Sequence, residues 1–86
     1  KRQGDNMTHY VGIDCNEDKI EIDIAYKGER AEEIYKKVIE KIKRYPIEII
    51  DNDSVLAGNK VVVSIEGKIE SPVKLEELEK ELNELF

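Results

Sequence analysis

The chain has one cysteine, one methionine, two prolines, five glycines and no tryptophan. A lone Cys15 cannot close an intramolecular disulfide, so packing must hold the fold, and a reducing cytoplasmic setting is the expectation. No apolar run approaches the roughly 18 residues that a membrane-spanning helix needs. Glycines are too few and too scattered to cradle a phosphate. Gly58 and Gly67 read as a turn and a strand position, not a strand-to-helix junction. Positive charge is in deficit: 14 basic residues against 20 acidic ones leave a net charge of −6. That balance argues against electrostatic wrapping of nucleic acid or of an anionic membrane.

What is present is folded-protein composition with a heavily charged surface. Apolar residues make up 40% of the chain and charged residues another 40%. The Lys/Glu/Ile bias resembles thermophile usage. Eighty-six residues leave room for one core. Lys1–Asn6 is polar and reads as a tag remnant or loose arm ahead of Met7, a candidate initiator, with a single α+β domain over residues 7–86.

Two alternating segments predict strands. In Lys19–Lys27, Ile20, Ile22, Ile24 and Tyr26 face one way while Glu21, Asp23, Ala25 and Lys27 face the other. In Lys60–Glu70, Val61, Val63, Ile65 and Ile69 share a face, and Gly67 interrupts the row as a bulge or a close contact. Two segments predict helices. Glu29–Tyr45 carries Ala31, Ile34, Tyr35, Val38, Ile39, Ile42 and Tyr45 at helical spacing, with Glu32–Lys36, Glu33–Lys37 and Glu40–Arg44 as supporting pairs. Pro46 forbids its continuation. Ser71-Pro72 predicts the start of the second helix, whose stripe is Leu75, Leu78, Leu82 and Leu85 with Phe86. Shorter β-prone runs occur at Thr8–Ile13, Ile47–Ile50 and Val55–Ala57, with polar breaks at Asp14–Asp18 and Asp51–Ser54 and a Gly58-Asn59 turn.

The order strand, helix, strand, strand, helix predicts two layers, helices on one face of a sheet, as a ferredoxin-like split β-α-β unit. A right-handed crossover leaves a gap between Lys19–Lys27 and Ile47–Ile50, and the long strand returns antiparallel into it. The usual last strand is missing after Phe86. Thr8–Ile13 would fill that edge in a permuted arrangement if it folds back beside Lys19–Lys27.

Chemistry is sparse. Asp51, Asn52, Asp53 and Ser54 carry oxygen atoms, but Val55 and Leu56 stand where a calcium loop would continue its ligands and glycine. Asp14, Glu17 and Asp18 form a second acidic loop. His9 and Cys15 are too few for a structural zinc site and lack an orienting partner for nucleophilic work. Lys36, Lys37, Lys41, Lys43 and Arg44 read as a solvated helix face, and no aromatic is expected on the wet face of the sheet to stack bases. Tyr26, Tyr35 and Tyr45 are expected in the core with their hydroxyls at its rim. No catalytic residue, metal site or cofactor is expected, and the chain reads as a non-enzyme.

The stretches Ile20–Tyr26, Ala31–Lys37 and Ala57–Glu66 resemble the small dimerisation subunit of the archaeal KEOPS complex, which makes threonylcarbamoyladenosine in tRNA. Leu82-Asn83 echoes the Asn-containing pattern of that family's last helix. The resemblance implies a dimerising, non-catalytic subunit of a tRNA-modifying assembly. The same element order is similar to an ACT regulatory domain, which binds amino acids at dimer interfaces, with Gly28 matching the glycine of its first strand–helix loop. Both imply association, as a homodimer or a protein hetero-complex. Ile47 and Ile49 on a weakly charged edge, and Leu85 and Phe86 at the end of the last helix, are the candidate contact residues.

Overall fold

Strict alternation in Lys19–Lys27 leaves every second side chain needing cover, and the structure supplies it from one side only. The computed structural model describes residues 8–86. The reading of Lys1–Asn6 as a tag or arm, and of Met7 as initiator, falls outside them. The chain forms β1 (Thr8–Asn16), β2 (Lys19–Lys27), α1 (Ala31–Lys43), β3 (Ile47–Asn52), β4 (Val55–Ala57), β5 (Lys60–Ile69) and α2 (Leu75–Asn83). It is a small α+β structure, a five-stranded antiparallel sheet with two helices. The strand order is β1-β2-β5-β3, and β4 also pairs with β5. Thus β5 is hydrogen-bonded to β2 along one side and to β3 and β4 in succession along the other.

The core forms where the two periodicities meet. Ile20, Ile22, Ile24, Val61, Val63 and Ile65 from the sheet pack with Ile34, Val38, Ile42, Leu78 and Leu82 from the helices, and all are buried. Arg30 and Glu33 pair at 3.0 Å across the first turn of α1, Lys36 reaches Glu32 at 3.5 Å, and Lys37 reaches Glu33 at 3.4 Å. The expected Glu40–Arg44 pair is not among the ion pairs of the described residues. Lys41 instead crosses to Glu81 on α2 at 3.3 Å.

Several boundaries differ from the sequence reading. The strand expected over Thr8–Ile13 runs on to Asn16, and only Glu17 and Asp18 turn. The polar Asp14 and Asn16 are tolerated because they lie on the uncovered face. Glu17 closes this turn at φ 59°, a left-handed conformation that costs a non-glycine residue about 1–2 kcal/mol. α1 is shorter than Glu29–Tyr45 because Gly28, Glu29 and Arg30 turn before it, and Arg30 C=O accepts its first bond from Ile34 at 2.8 Å. Ser71-Pro72 does not start the second helix. Lys74 caps it, and the extended run before it lays Val73 against the core. β3 continues through Asp51 and Asn52 across a bulge between Ile49 and Asp51.

Candidate docking surface

The four contact residues expected from sequence fall in different places. Ile47 is only 8% exposed and belongs to the core. Ile49 is half-buried on the same inner face, packed against that core. The outward residue of this strand is Ile50, 59% exposed at the bulge. Leu85 and Phe86 are half-buried as well. The Phe86 ring stacks on His9 at 4.6 Å and lies 5.5 Å from Tyr26, so β1 and β2 cover a residue that the sequence left bare. Arg30 donates to the Leu85 carbonyl at 3.4 Å, which fixes the end of α2 against the start of α1.

The uncovered side of the sheet was harder to foresee. Cross-strand partners share a face, so the register arranges side chains into rows. Tyr10, Ala25, Val62 and Val55 form an apolar row running from β1 across β2 and β5 to β4. Tyr10 is 61% exposed, Val55 58% and Val62 50%. Tyr10 corrects the expectation that this face carries no aromatic. Beside this row, two residues along β2 and β5 toward one end of the sheet, Lys27 stands opposite Lys60. A cleft of 260 Å³ opens there, lined by His9, Tyr10, Tyr26, Lys27, Lys60 and Val62 among others.

Toward the other end the face turns acidic. Asp14 faces Glu21, Glu21 faces Glu66, and Glu66 faces Asp51, four carboxylates in one continuous row. Asp23 sits one step nearer the apolar row, opposite Ser64, and the Asp53 N–H bonds the Ser64 carbonyl at 2.8 Å. A groove of 200 Å³ lies among Glu21, Asp23, Asp51, Asp53, Ser64 and Glu66. Like charges directly opposite each other destabilise a sheet by some tenths of a kcal/mol up to about 1 kcal/mol per pair. Among the described residues no group of three or more His, Cys, Asp and Glu side chains is placed to hold a metal ion. His9 and Cys15 face Tyr26 and Ile20 respectively, at opposite ends of β1, so the strand keeps them apart. The Cys15 thiol makes a long contact to the Glu17 carbonyl, at 3.7 Å.

On the helical side, the Tyr45 hydroxyl donates to Glu81, which also accepts from Lys41. Burial, and then the bond to Glu81, push the Tyr45 phenol well above its ordinary value of 10.0. The same bond, with Lys41 beside it, holds Glu81 below its ordinary 4.5. A lowered carboxylate pKa gives stability that is present above the unfolded value and is lost as pH falls through the folded one. A raised phenol pKa gives stability that is present below pH 10 and is lost in stronger alkali. Tyr45→Phe should therefore flatten the stability profile both below about pH 4.5 and above about pH 10, as measured by urea midpoints across pH. An unchanged acid limb in this variant would show that Glu81 does not depend on Tyr45.

No helix among the described residues is long and apolar enough to cross a membrane. Comparison with protein families, with curated proteins and with solved structures found no match to this chain.

Proposed function

We propose that this chain is a non-catalytic docking module that associates with itself or with a protein partner through the open face and edges of its sheet. The observation that carries the reading is the row of opposed carboxylates beside the exposed Tyr10-Ala25-Val62-Val55 row. A surface serving stability alone would pair unlike charges across the strands and keep its apolar residues covered. A partner presenting basic side chains next to an apolar patch would satisfy both rows at once.

The finer readings of fold and role go with this proposal. In the ferredoxin-like split β-α-β reading, β2-α1-β3 is the crossover, β5 fills its gap, and β1 takes the edge position beside β2 that the last strand holds in that fold. The role is that of a dimerisation subunit in a tRNA-modifying complex, working inside the cytoplasm with no cofactor, and with direct contact to nucleic acid left to other subunits. The acidic rows support that division of labour, because carboxylates repel a phosphate backbone.

A charge-reversal experiment tests the reading. Glu21→Lys turns the Glu21–Glu66 pair into an attractive one and should raise stability by about 0.5–1 kcal/mol. The same change should weaken capture of partner chains in a pull-down from the native source, with captured chains identified by mass spectrometry. Unchanged capture with Glu21→Lys would overturn a partner contact at this row.

The cleft beside Lys27 and Lys60 favours one second reading, an ACT-like regulatory domain that takes an amino acid by its carboxylate. Gly28 lies in the loop just after β2, its N–H bonded to the Asn59 carbonyl at 2.8 Å. Saturable thermal stabilisation by a free amino acid, abolished by Lys60→Ala, would select this reading over the first.

A further inference from the structure

The two edges of the sheet are not equally protected. β3 begins behind Pro46, carries Glu48 and Asp51, and is bent by its bulge after Ile49. Proline, charge and bulges are the usual means of blunting an edge against further pairing. β1 has none of these in its nine residues except the single charge of Asp14. Its register with β2 is unbroken from end to end. Among the described residues, no strand lies on its outer side.

The direction of the hydrogen-bonding groups of β1 follows from the rest of the sheet. Just beyond the two ends of β2, the Asp18 carbonyl accepts from Ile69 N–H and Gly28 N–H donates to the Asn59 carbonyl. Even-numbered positions of β2 therefore bond toward β5, and odd-numbered ones bond toward β1. The β1 partners of those odd positions are Thr8, Tyr10, Gly12, Asp14 and Asn16. The N–H and C=O groups of His9, Val11, Ile13 and Cys15 are left pointing outward. The side chains of Val11 and Ile13 are also only half-buried against the core.

We infer that two copies of the chain pair antiparallel through β1, about a two-fold axis at Gly12. The inference rests on the self-association proposed above and specifies its surface. In this register Val11 meets the partner's Ile13 and Ile13 meets the partner's Val11, each as a hydrogen-bonded pair made from the outward groups. His9 and Cys15 pair in the same way. Gly12 meets its own copy at a non-bonded position, where backbones approach most closely and a side chain would intrude. Tyr10 falls opposite the partner's Asp14, so the pairing opposes no like charges. The result is one sheet running β3-β5-β2-β1-β1-β2-β5-β3, with both helical layers on one side and both open faces on the other. Backbone bonds and apolar contacts make up the interface, so it should survive raised salt.

Amide hydrogen exchange together with light scattering tests this on the full chain. A species of twice 9.9 kDa is expected, with the amides of His9, Val11, Ile13 and Cys15 protected, and protection lost on dilution to monomer. Val11→Pro removes an N–H that the monomer does not use, so it should weaken self-association at least about ten-fold while the β1–β2 amides stay protected. His9→Cys supplies a thiol opposite the partner's Cys15, and mild oxidation should then yield a covalent dimer that the unaltered chain does not form. A dimer whose four outward amides exchange freely, or in which the His9→Cys variant fails to cross-link, overturns the β1 interface and leaves self-association standing. A monomer at every concentration overturns both.

Discussion

Replacing Gly67 with alanine is expected to destabilise the protein by about 2–3 kcal/mol. Strand propensity alone would give the opposite sign, since glycine in a strand interior is normally the weaker residue. Space decides the outcome. A Cβ on Gly67 would come within 2.7 Å of Ile47 Cγ2 and 2.9 Å of the Glu48 carbonyl oxygen. The Ile47 side chain can change rotamer, but the carbonyl is the backbone of β3, and that strand can yield only by moving as a whole. Gly67 faces Ile49 at the place where the β3 register shifts, so the close approach and the bulge are one local device. Urea denaturation of Gly67→Ala checks the prediction. A loss below about 0.5 kcal/mol would mean that β3 is held loosely enough to step aside.

Truncating Leu78 to alanine should cost about 3–5 kcal/mol, a large share of the stability of a domain this small. α2 is nine residues long and has two fully buried side chains, Leu78 and Leu82. A helix of that length does not persist by itself in water, so its docking and its helicity are lost together. Circular dichroism during denaturation should show helical signal leaving before the main transition in Leu78→Ala. Glu76→Ala on the exposed side of the same helix should stay within about 0.5 kcal/mol of the unaltered protein. If the two variants behaved alike, Leu78 would not be the anchor of α2.

Much of the architecture was legible because two simple periods run through the chain. The alternation of Ile20, Ile22 and Ile24 and of Val61, Val63 and Ile65, set against the helical spacing of Ile34, Val38 and Ile42, identifies the core as it is found. Other features depend on relations that a linear reading does not contain. Glu21 and Glu66 are far apart in sequence, and only the register of β2 with β5 makes them neighbours. Gly67 could be flagged as unusual, but what it touches depends on where β3 lies. Alternation puts His9, Val11 and Ile13 on one face of their run, but Tyr10 joins the open face of the sheet only because that run pairs with β2, which the linear sequence leaves open. Phe86 looked uncovered because its cover, His9 and Tyr26, comes from the opposite end of the chain. Lys74 replaced Ser71 as the cap because docking of Val73 outweighs a good local start signal.

The central position of β5 bears on how the protein is made. Among the described residues, only the β1–β2 ladder can close without β5, because β3 and β4 have no other strand there to pair with. A ribosome delivers the chain from its N-terminus, so Ile20, Ile22 and Ile24 emerge long before Val61, Val63 and Ile65 arrive to bond beside them. α1 can form in the interval, yet it has only one hairpin to rest on. The sheet is therefore completed when residues 60–69 clear the exit tunnel, and α2 follows them almost at once. Acquisition of structure is expected to be a single event that waits for residues 60–69, and the early isoleucine face is the part of the nascent chain that a chaperone would meet first.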